Sequence, residues 1–104
     1  ARAITGREHV LACGYFGWLD WNSDAPGVPA ATSELVTWLP FNDSEVLTRA
    51  MRDAVEQGRT PAAIVIEPLV HDIASQAWLQ LARDLATKHG ALLVFDEVKT
   101  AFRV

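Results

Sequence analysis

The sequence contains little cysteine and no long apolar run, and both features limit what the protein can be. A single cysteine, Cys13, occurs in 104 residues, so no disulfide can form within the chain. This usage is typical of a reducing compartment, and we expect a cytoplasmic protein. The longest apolar stretches, such as residues 62–66, are far too short to cross a bilayer. We therefore expect no membrane partner.

Basic charge is also scarce. Nine Lys and Arg residues stand against 13 Asp and Glu, for a net charge of −4. Without a basic run there is no electrostatic reason to expect a nucleic-acid partner. The histidines and Cys13 lack metal-ligand spacing, so no metal site is predicted. The sequence contains neither G-x-G-x-x-G nor a P-loop, so no motif predicts the binding of a nucleotide phosphate.

Apolar segments and helical patterns alternate along the chain. Strands of the buried type are predicted at residues 9–13, 62–66 and 91–95, with a shorter strand inside 35–41. One amphipathic helix begins at a capping-box pattern formed by Asn42 and Glu45. A second helix has Trp78 on its apolar face and ends at Gly90. Residues 19–34, rich in Pro, Gly, Ser and Asp, predict a long surface loop. The order indicates an α/β fold with a mostly parallel sheet.

Three of the predicted strand ends carry polar or aromatic side chains. In parallel α/β sheets, ligands bind outside the carboxyl ends of the strands. The first, third and fourth strands place Tyr15, Glu67 and Asp96 at that edge. The topology alone therefore predicts a candidate pocket there.

Asp96 and Glu97 follow the apolar strand 91–95 and have different expected roles. Strand alternation puts Asp96 and Val98 on one face and Glu97 on the other. A carboxylate leaving an apolar strand needs a partner, which for Asp96 is a protonated ring nitrogen, a metal or an arginine. Asp96 is equally compatible with capping a helix or bracing a loop, because perturbed carboxylates are not confined to sites. Glu97 is expected in a structural ion pair.

Four sequence motifs resemble one family. Residues 91–104, ALLVFDEVKTAFRV, resemble the strand-end motif of class III, fold-type I aminotransferases that use pyridoxal phosphate (PLP). In that motif D-E-V is followed after two residues by G-F-R. Residues 14–21 resemble the family's G-Y-H-G-W segment, and residues 62–68 resemble its glutamate-proline strand end. Residues 1–7 resemble the end of the helix after its phosphate-binding turn. The nearest branch is the glutamate-1-semialdehyde aminomutase-like one.

The resemblance implies a cofactor site. Asp96 matches the catalytic aspartate that pairs with the pyridinium nitrogen of PLP. The PLP ring acts as an electron sink, and a protonated ring nitrogen helps it to stabilise the substrate carbanion. Val98 matches the residue packed on one side of the ring, and Tyr15 matches the aromatic stacked on the other side. Glu67 matches the glutamate of the glutamate-proline pair, a polar group near the cofactor or substrate.

Lys99 is not expected to be the lysine that bonds to PLP. Alternation directs Lys99 away from Asp96, and we expect it to be solvated or ion-paired. The resemblance places the cofactor-bonding lysine on a later strand and the phosphate-binding turn before residue 1. We therefore expect the chain by itself to be inactive and to bind PLP weakly at best.

The sequence departs from the family pattern at two positions. Phe16 stands where the family often has histidine. Ala101 replaces the glycine of G-F-R, which matters if the backbone there needs a positive φ. Two further residues lie near the predicted edge. His71 is interpreted as a surface histidine, and Arg103 either meets a substrate carboxylate or forms an internal salt bridge.

Together these features predict an α/β segment of a mostly parallel, three-layer sheet like that of the PLP-dependent transferase large domain. Residues 1–104 would be an incomplete central segment of that domain. The parent would be a homodimeric aminotransferase moving an amino group from a small amine or amino acid donor to a carbonyl acceptor. An aminomutase, racemase or decarboxylase on the same scaffold is an alternative. Another is a non-catalytic α/β binding module in which Asp96 and Glu67 hold a cation or partner.

Overall fold

A computed structural model describes residues 1–70 and 72–101, so His71 and Arg103 lie outside the described residues. Four strands form one parallel sheet in the order β2-β1-β3-β4. The strands are β1 (Val10–Cys13), β2 (Val36–Trp38), β3 (Ala63–Ile66) and β4 (Leu92–Phe95). The helices are α1 (Arg2–Thr5), α2 (Ala30–Ser33), α3 (Ser44–Glu56) and α4 (Gln76–His89). The predicted α/β class and parallel sheet are confirmed. Within the described ranges, none of these helices has the length and apolar character that crossing a membrane requires.

The long helices α3 and α4 share one face of the sheet, where the main core lies. In the sheet register Leu11 pairs with Ile64, and Cys13 with Ile66. These four side chains are buried in one cluster with the apolar sides of both helices. The ring of Trp78 is fully buried there and meets the edge of Phe41, as the predicted helical face requires.

The opposite face of the sheet carries α1 and part of the β1–β2 connection. A cleft of about 400 Å³ on this face is lined by Val10, Val65 and Val94, together with Arg2 of α1 and Trp21. The order of strands reverses direction between β1 and β3, because β2 lies on one side of β1 and β3 on the other. Such a reversal is the place where open α/β sheets bind ligands, at the carboxyl ends of the strands.

The start of α3 differs from the predicted capping box. Asp43 is the N-cap residue, and its Oδ1 accepts from the amide of Val46 at 3.0 Å. Asn42 has a positive φ of 58° and reaches across to the start of α4, where its Oδ1 accepts from Ser75 N at 2.8 Å. The prediction was wrong by one residue, because Asn tolerates the left-handed region and leaves the cap to the following aspartate.

The predicted loop over residues 19–34 contains two short helical pieces, a 3₁₀ turn at Asp20–Asn22 and α2. Aromatic packing holds its start against β2. The ring of Phe16 lies 5.6 Å from that of Trp21 and 6.2 Å from that of Trp38. Apolar contacts therefore organise this connection despite its turn-forming composition.

Candidate functional site

The edge of the sheet at the carboxyl ends of its strands, hereafter the carboxyl edge, brings the predicted residues into one row. The amide of Glu67 donates to Cys13 O, and the amide of Asp96 donates to Ile66 O, each at 2.9 Å. The parallel ladder that joins β1, β3 and β4 therefore continues by one residue past the ends of β3 and β4. At about 4.8 Å per strand, β1 and β4 lie roughly 10 Å apart with β3 between them.

Glu67 lies at the centre of this row and is buried, with a side chain that is 3% exposed. Its Oε2 is 3.3 Å from Nζ of Lys99, and its Oε1 accepts from the amide of Tyr15 at 3.5 Å. Gly14 makes this burial possible. Its φ is +137°, and a Cβ built there would lie 2.5 Å from Cβ of Glu67. The carboxylate of Glu67 thus joins the loops that follow β1 and β4.

Asp96 is half-buried at the end of β4, and one of its oxygens braces the following turn. Its Oδ1 accepts from the amide of Val98 at 3.1 Å. This is the local turn contact that aspartate commonly makes with a residue two positions on. Among the described residues no other hydrogen bond to this carboxylate is found. The loop-bracing role is therefore present, and it uses one oxygen of the two.

Tyr15 and Val98 are both exposed apolar side chains at the carboxyl edge, at 62% and 79%. The described contacts join Tyr15, after β1, to Glu67, after β3, and join Val98 to Asp96, both after β4. The shared strand face predicted for Asp96 and Val98 is wrong. Strand β4 ends at Phe95, and Val98 lies in a turn that begins after it. Strand alternation does not apply there, although the turn still places Val98 next to Asp96.

Lys99 is ion-paired, which is one of the two states expected for it, but its partner was not anticipated. Glu97 was expected to form an ion pair, and none is found for it in the described part of the chain. Glu97 is exposed, and its carbonyl accepts from the amides of Thr100 and Ala101. The turn made by these bonds directs Lys99 inward instead. Two sequence features could have indicated this ion pair. They are the glutamate that follows one buried strand and the lysine in the turn that follows the next.

The two departures from the family pattern have structural outcomes. Phe16 packs between Trp21 and Trp38, so it serves the aromatic contact at β2. Ala101 does not need a positive φ, because Asn42 is the one non-glycine residue with a positive φ among those described.

Cys13, directly before the row, is buried beneath it. Burial first, and then the nearby carboxylate of Glu67, raise the pKa of Cys13 to about 11. A thiol in this environment stays protonated and unreactive at neutral pH. Cys13 thus serves as a small apolar residue of the core.

A second polar cluster lies at the opposite end of β1. His9 is buried, with its Nε2 2.8 Å from Oγ1 of Thr37 and its Nδ1 2.9 Å from a guanidinium nitrogen of Arg59. The guanidinium can only donate, so Nδ1 accepts and Nε2 carries the proton. Burial, followed by the charges of Arg59 and Arg2, lowers the pKa of His9. These contacts make His9 a neutral structural residue at the edge remote from Asp96.

Three curated proteins align with most or all of this chain. A glutamate-1-semialdehyde 2,1-aminomutase from Dechloromonas aromatica is 41% identical over 87 residues, covering 80% of this chain and 20% of that protein. A 2'-deamino-2'-hydroxyneamine transaminase from Streptomyces kanamyceticus is 39% identical over 104 residues, covering 99% and 26%. A glutamate-1-semialdehyde 2,1-aminomutase from Rhodopirellula baltica is 36% identical over 123 residues, covering 100% and 27%. No family model matches the chain.

Solved structures agree with these relatives. A transaminase with PLP bound superposes with a TM-score of 0.86 at 26% identity, covering 95% of this chain and 27% of that one. A β-phenylalanine aminotransferase from Variovorax paradoxus superposes with a TM-score of 0.70 at 29% identity, covering 96% and 24%. The chain thus spans between a fifth and about a quarter of the length of the curated relatives it matches. Because sequence and fold agree over nearly all of its residues, the chain belongs to the class III, fold-type I aminotransferase family that its motifs resemble.

Proposed function

We propose that the protein carrying these residues is a PLP-dependent aminotransferase that moves an amino group from an amine or amino acid donor to a carbonyl acceptor. The position of Asp96 at the carboxyl edge carries the proposal. Its Oδ1 is fixed by the amide of Val98, which leaves the second oxygen available to a ring nitrogen. The transaminases among the relatives and solved structures support the same reaction class.

The side chains at the carboxyl edge fit the pyridine ring of PLP chemically. Asp96 supplies a carboxylate for the protonated nitrogen, while the exposed Tyr15 and Val98 supply apolar surface for the two ring faces. The ends of β1 and β4, which precede Tyr15 and Asp96, are roughly 10 Å apart, a separation that admits a ring with a side chain on each face. Bound PLP would withdraw electrons from the carbon that loses its proton.

Each of these residues has a defined task in this site. With PLP bound, the carboxylate of Asp96 would favour a protonated pyridine nitrogen, because a nearby negative charge stabilises the cationic ring. Tyr15 would orient the ring by stacking, which contributes on the order of 1 kcal/mol beyond its buried area, and would exclude water from that face. Val98 would limit movement of the ring on the other side. Glu67 stays in place between them and fixes the loop that carries Tyr15.

The test compares Asp96→Asn with Glu97→Gln in the full-length protein. Glu97 is the adjacent exposed carboxylate, so its variant removes one negative charge at nearly the same place. We expect Asp96→Asn to fold, to retain some PLP and to lose most of the amino transfer from a panel of amine donors. Glu97→Gln should keep wild-type turnover. Full activity of Asp96→Asn would contradict the proposal.

An aminomutase is the second candidate, because two of the curated relatives are glutamate-1-semialdehyde 2,1-aminomutases. Such an enzyme moves the amino group within one substrate skeleton. The need for a second substrate separates the two reactions. A requirement for both an amine donor and a separate carbonyl acceptor supports amino transfer between molecules, whereas conversion of a single amino-carbonyl substrate into its positional isomer without any added donor or acceptor supports the aminomutase.

Assembly and location are finer parts of the same proposal. We infer a cytoplasmic homodimer, which is supported by the single buried cysteine and by exposed apolar side chains such as Ile4 and Trp18. Sedimentation of the full-length protein at micromolar concentration tests the dimer. A monomer under these conditions would contradict it.

A further inference from the structure

The ion pair between Lys99 and Glu67 lies at the proposed cofactor site, where Glu67 fixes the loop that carries Tyr15. We propose that Lys99 is a positioning residue that acts through Glu67 to fix the two loops on either side of the PLP ring. This inference rests on the proposed function. It assigns Lys99 a task other than bonding to the cofactor.

The two members of the pair differ in burial. The side chain of Glu67 is 3% exposed, while that of Lys99 is 54% exposed. A carboxylate so deeply buried stays ionised only if a cation or several donors compensate its lost hydration. Lys99 is the cation found at ion-pair distance in the described part of the chain. The lysine remains largely hydrated, so Glu67 is the member that depends on the pair.

Each oxygen of the Glu67 carboxylate contacts a different loop. Oε1 accepts from the amide of Tyr15, after β1, and Oε2 contacts Lys99, after β4. Lys99 and Val98 are adjacent in one turn, closed by the amides of Thr100 and Ala101 on the carbonyl of Glu97. The carboxylate of Glu67 therefore helps to position both side chains proposed to face the ring, Tyr15 through its amide and Val98 through the neighbouring Lys99.

The stem of Glu67 has little freedom to compensate for a lost partner. A Cβ built on Gly14 would lie 2.5 Å from Cβ of Glu67, so the Glu67 stem packs directly against the Gly14 backbone. Removal of Lys99 therefore leaves a buried carboxylate on a fixed stem without its cation. That loss weakens the link between the two loops and alters the spacing between Tyr15 and Val98.

The experiment uses the full-length protein and five variants of it. Lys99→Met removes the charge at similar length, and Lys99→Arg keeps it. Glu67→Gln keeps an acceptor for Tyr15 without a charge, and the double variant combines Glu67→Gln with Lys99→Met. Lys88→Met in the last turn of α4 is the matched control, because Lys88 is exposed and remote from the carboxyl edge. The dissociation constant of PLP is measured by equilibrium dialysis at neutral pH.

We expect Lys99→Met to weaken PLP binding about tenfold or more near neutral pH, because it leaves a buried charge unpaired. Lys99→Arg should restore binding, and Lys88→Met should not change it. Restored binding in Lys99→Arg would show that the positive charge at this position, rather than the bulk of the side chain, carries the effect.

The Glu67→Gln background decides whether Lys99 acts through Glu67. Without the buried charge, adding Lys99→Met should leave PLP binding unchanged, and this comparison remains valid if Lys99→Met alone fails to fold. A further loss of affinity in the double variant would mean that Lys99 contacts the cofactor directly and would overturn the inference. Wild-type affinity in Lys99→Met would overturn it as well, while leaving the proposed function intact. Absence of PLP binding by the unmodified protein would overturn both.

Discussion

Gly14 is the position where one added methyl group should do the most damage to the carboxyl edge. The Cβ of Gly14→Ala would lie 2.5 Å from Cβ of Glu67 and 3.1 Å from Cζ of Phe16. The Cβ of Glu67 is bonded directly to the backbone of the chain after β3, so relief requires movement of the ladder itself. The backbone of Gly14, at φ +137°, is also one that alanine rarely adopts.

The two effects can be separated in magnitude. An unfavourable φ costs about 1–3 kcal/mol. Overpacking by one methyl group against atoms that cannot move freely costs a further 1–3 kcal/mol or so. Gly27 offers a matched control, because its φ is +97° and an added Cβ would meet nothing within 4 Å. Gly14→Ala should therefore lower the free energy of unfolding by about 1–3 kcal/mol more than Gly27→Ala.

Denaturant unfolding of the two variants and the parent measures this difference. Alkylation of Cys13, followed by mass spectrometry of the peptide that contains it, gives a local readout beside the site. We expect faster alkylation in Gly14→Ala than in Gly27→Ala, because the strained ladder opens more often next to the thiol. Equal destabilisation by both substitutions would refute the close approach of Glu67 to Gly14.

Three further predictions concern burial and capping. Since the pKa of His9 is lowered below its ordinary value of 6.5, the unfolded chain binds its proton first as the pH falls. The free energy of unfolding should therefore decrease below about pH 6.5 and level off once His9 is protonated in the folded protein as well. Denaturant titrations at several pH values should find a weaker pH dependence in His9→Gln. Asp43→Ala should cost about 1 kcal/mol in such titrations through loss of the α3 cap, and Glu45→Gln should cost less. Cys13, with a pKa raised to about 11, should be alkylated at neutral pH far more slowly in the folded protein than in denaturant, and equal rates would contradict its burial.

The sequence predicted the strands and long helices because their signals are local and repeated. Apolar runs such as residues 62–66 and the spacing around Trp78 match the buried faces of β3 and α4. The shared edge of Glu67 and Asp96 followed from parallel topology, since each directly follows a strand in the same register.

The errors occurred where geometry outside regular elements decides the outcome. The alternation extended to Val98 failed because β4 ends at Phe95, and a turn then sets the side-chain directions. The partner of Lys99 could not be read from spacing, because the contact spans two strand ends and depends on that turn. Asn42 and Asp43 are both good capping residues, and a tertiary contact with Ser75 chose between them.

The most direct test of the account is the protonation state of the PLP ring nitrogen in the full-length protein. PLP labelled with ¹⁵N at the ring is bound to the wild type and to Asp96→Asn, and its ¹⁵N chemical shift is recorded at neutral pH. The account predicts a protonated nitrogen in the wild type and an unprotonated one in the variant. A nitrogen with the same shift in both proteins would contradict the assignment of Asp96 as its partner.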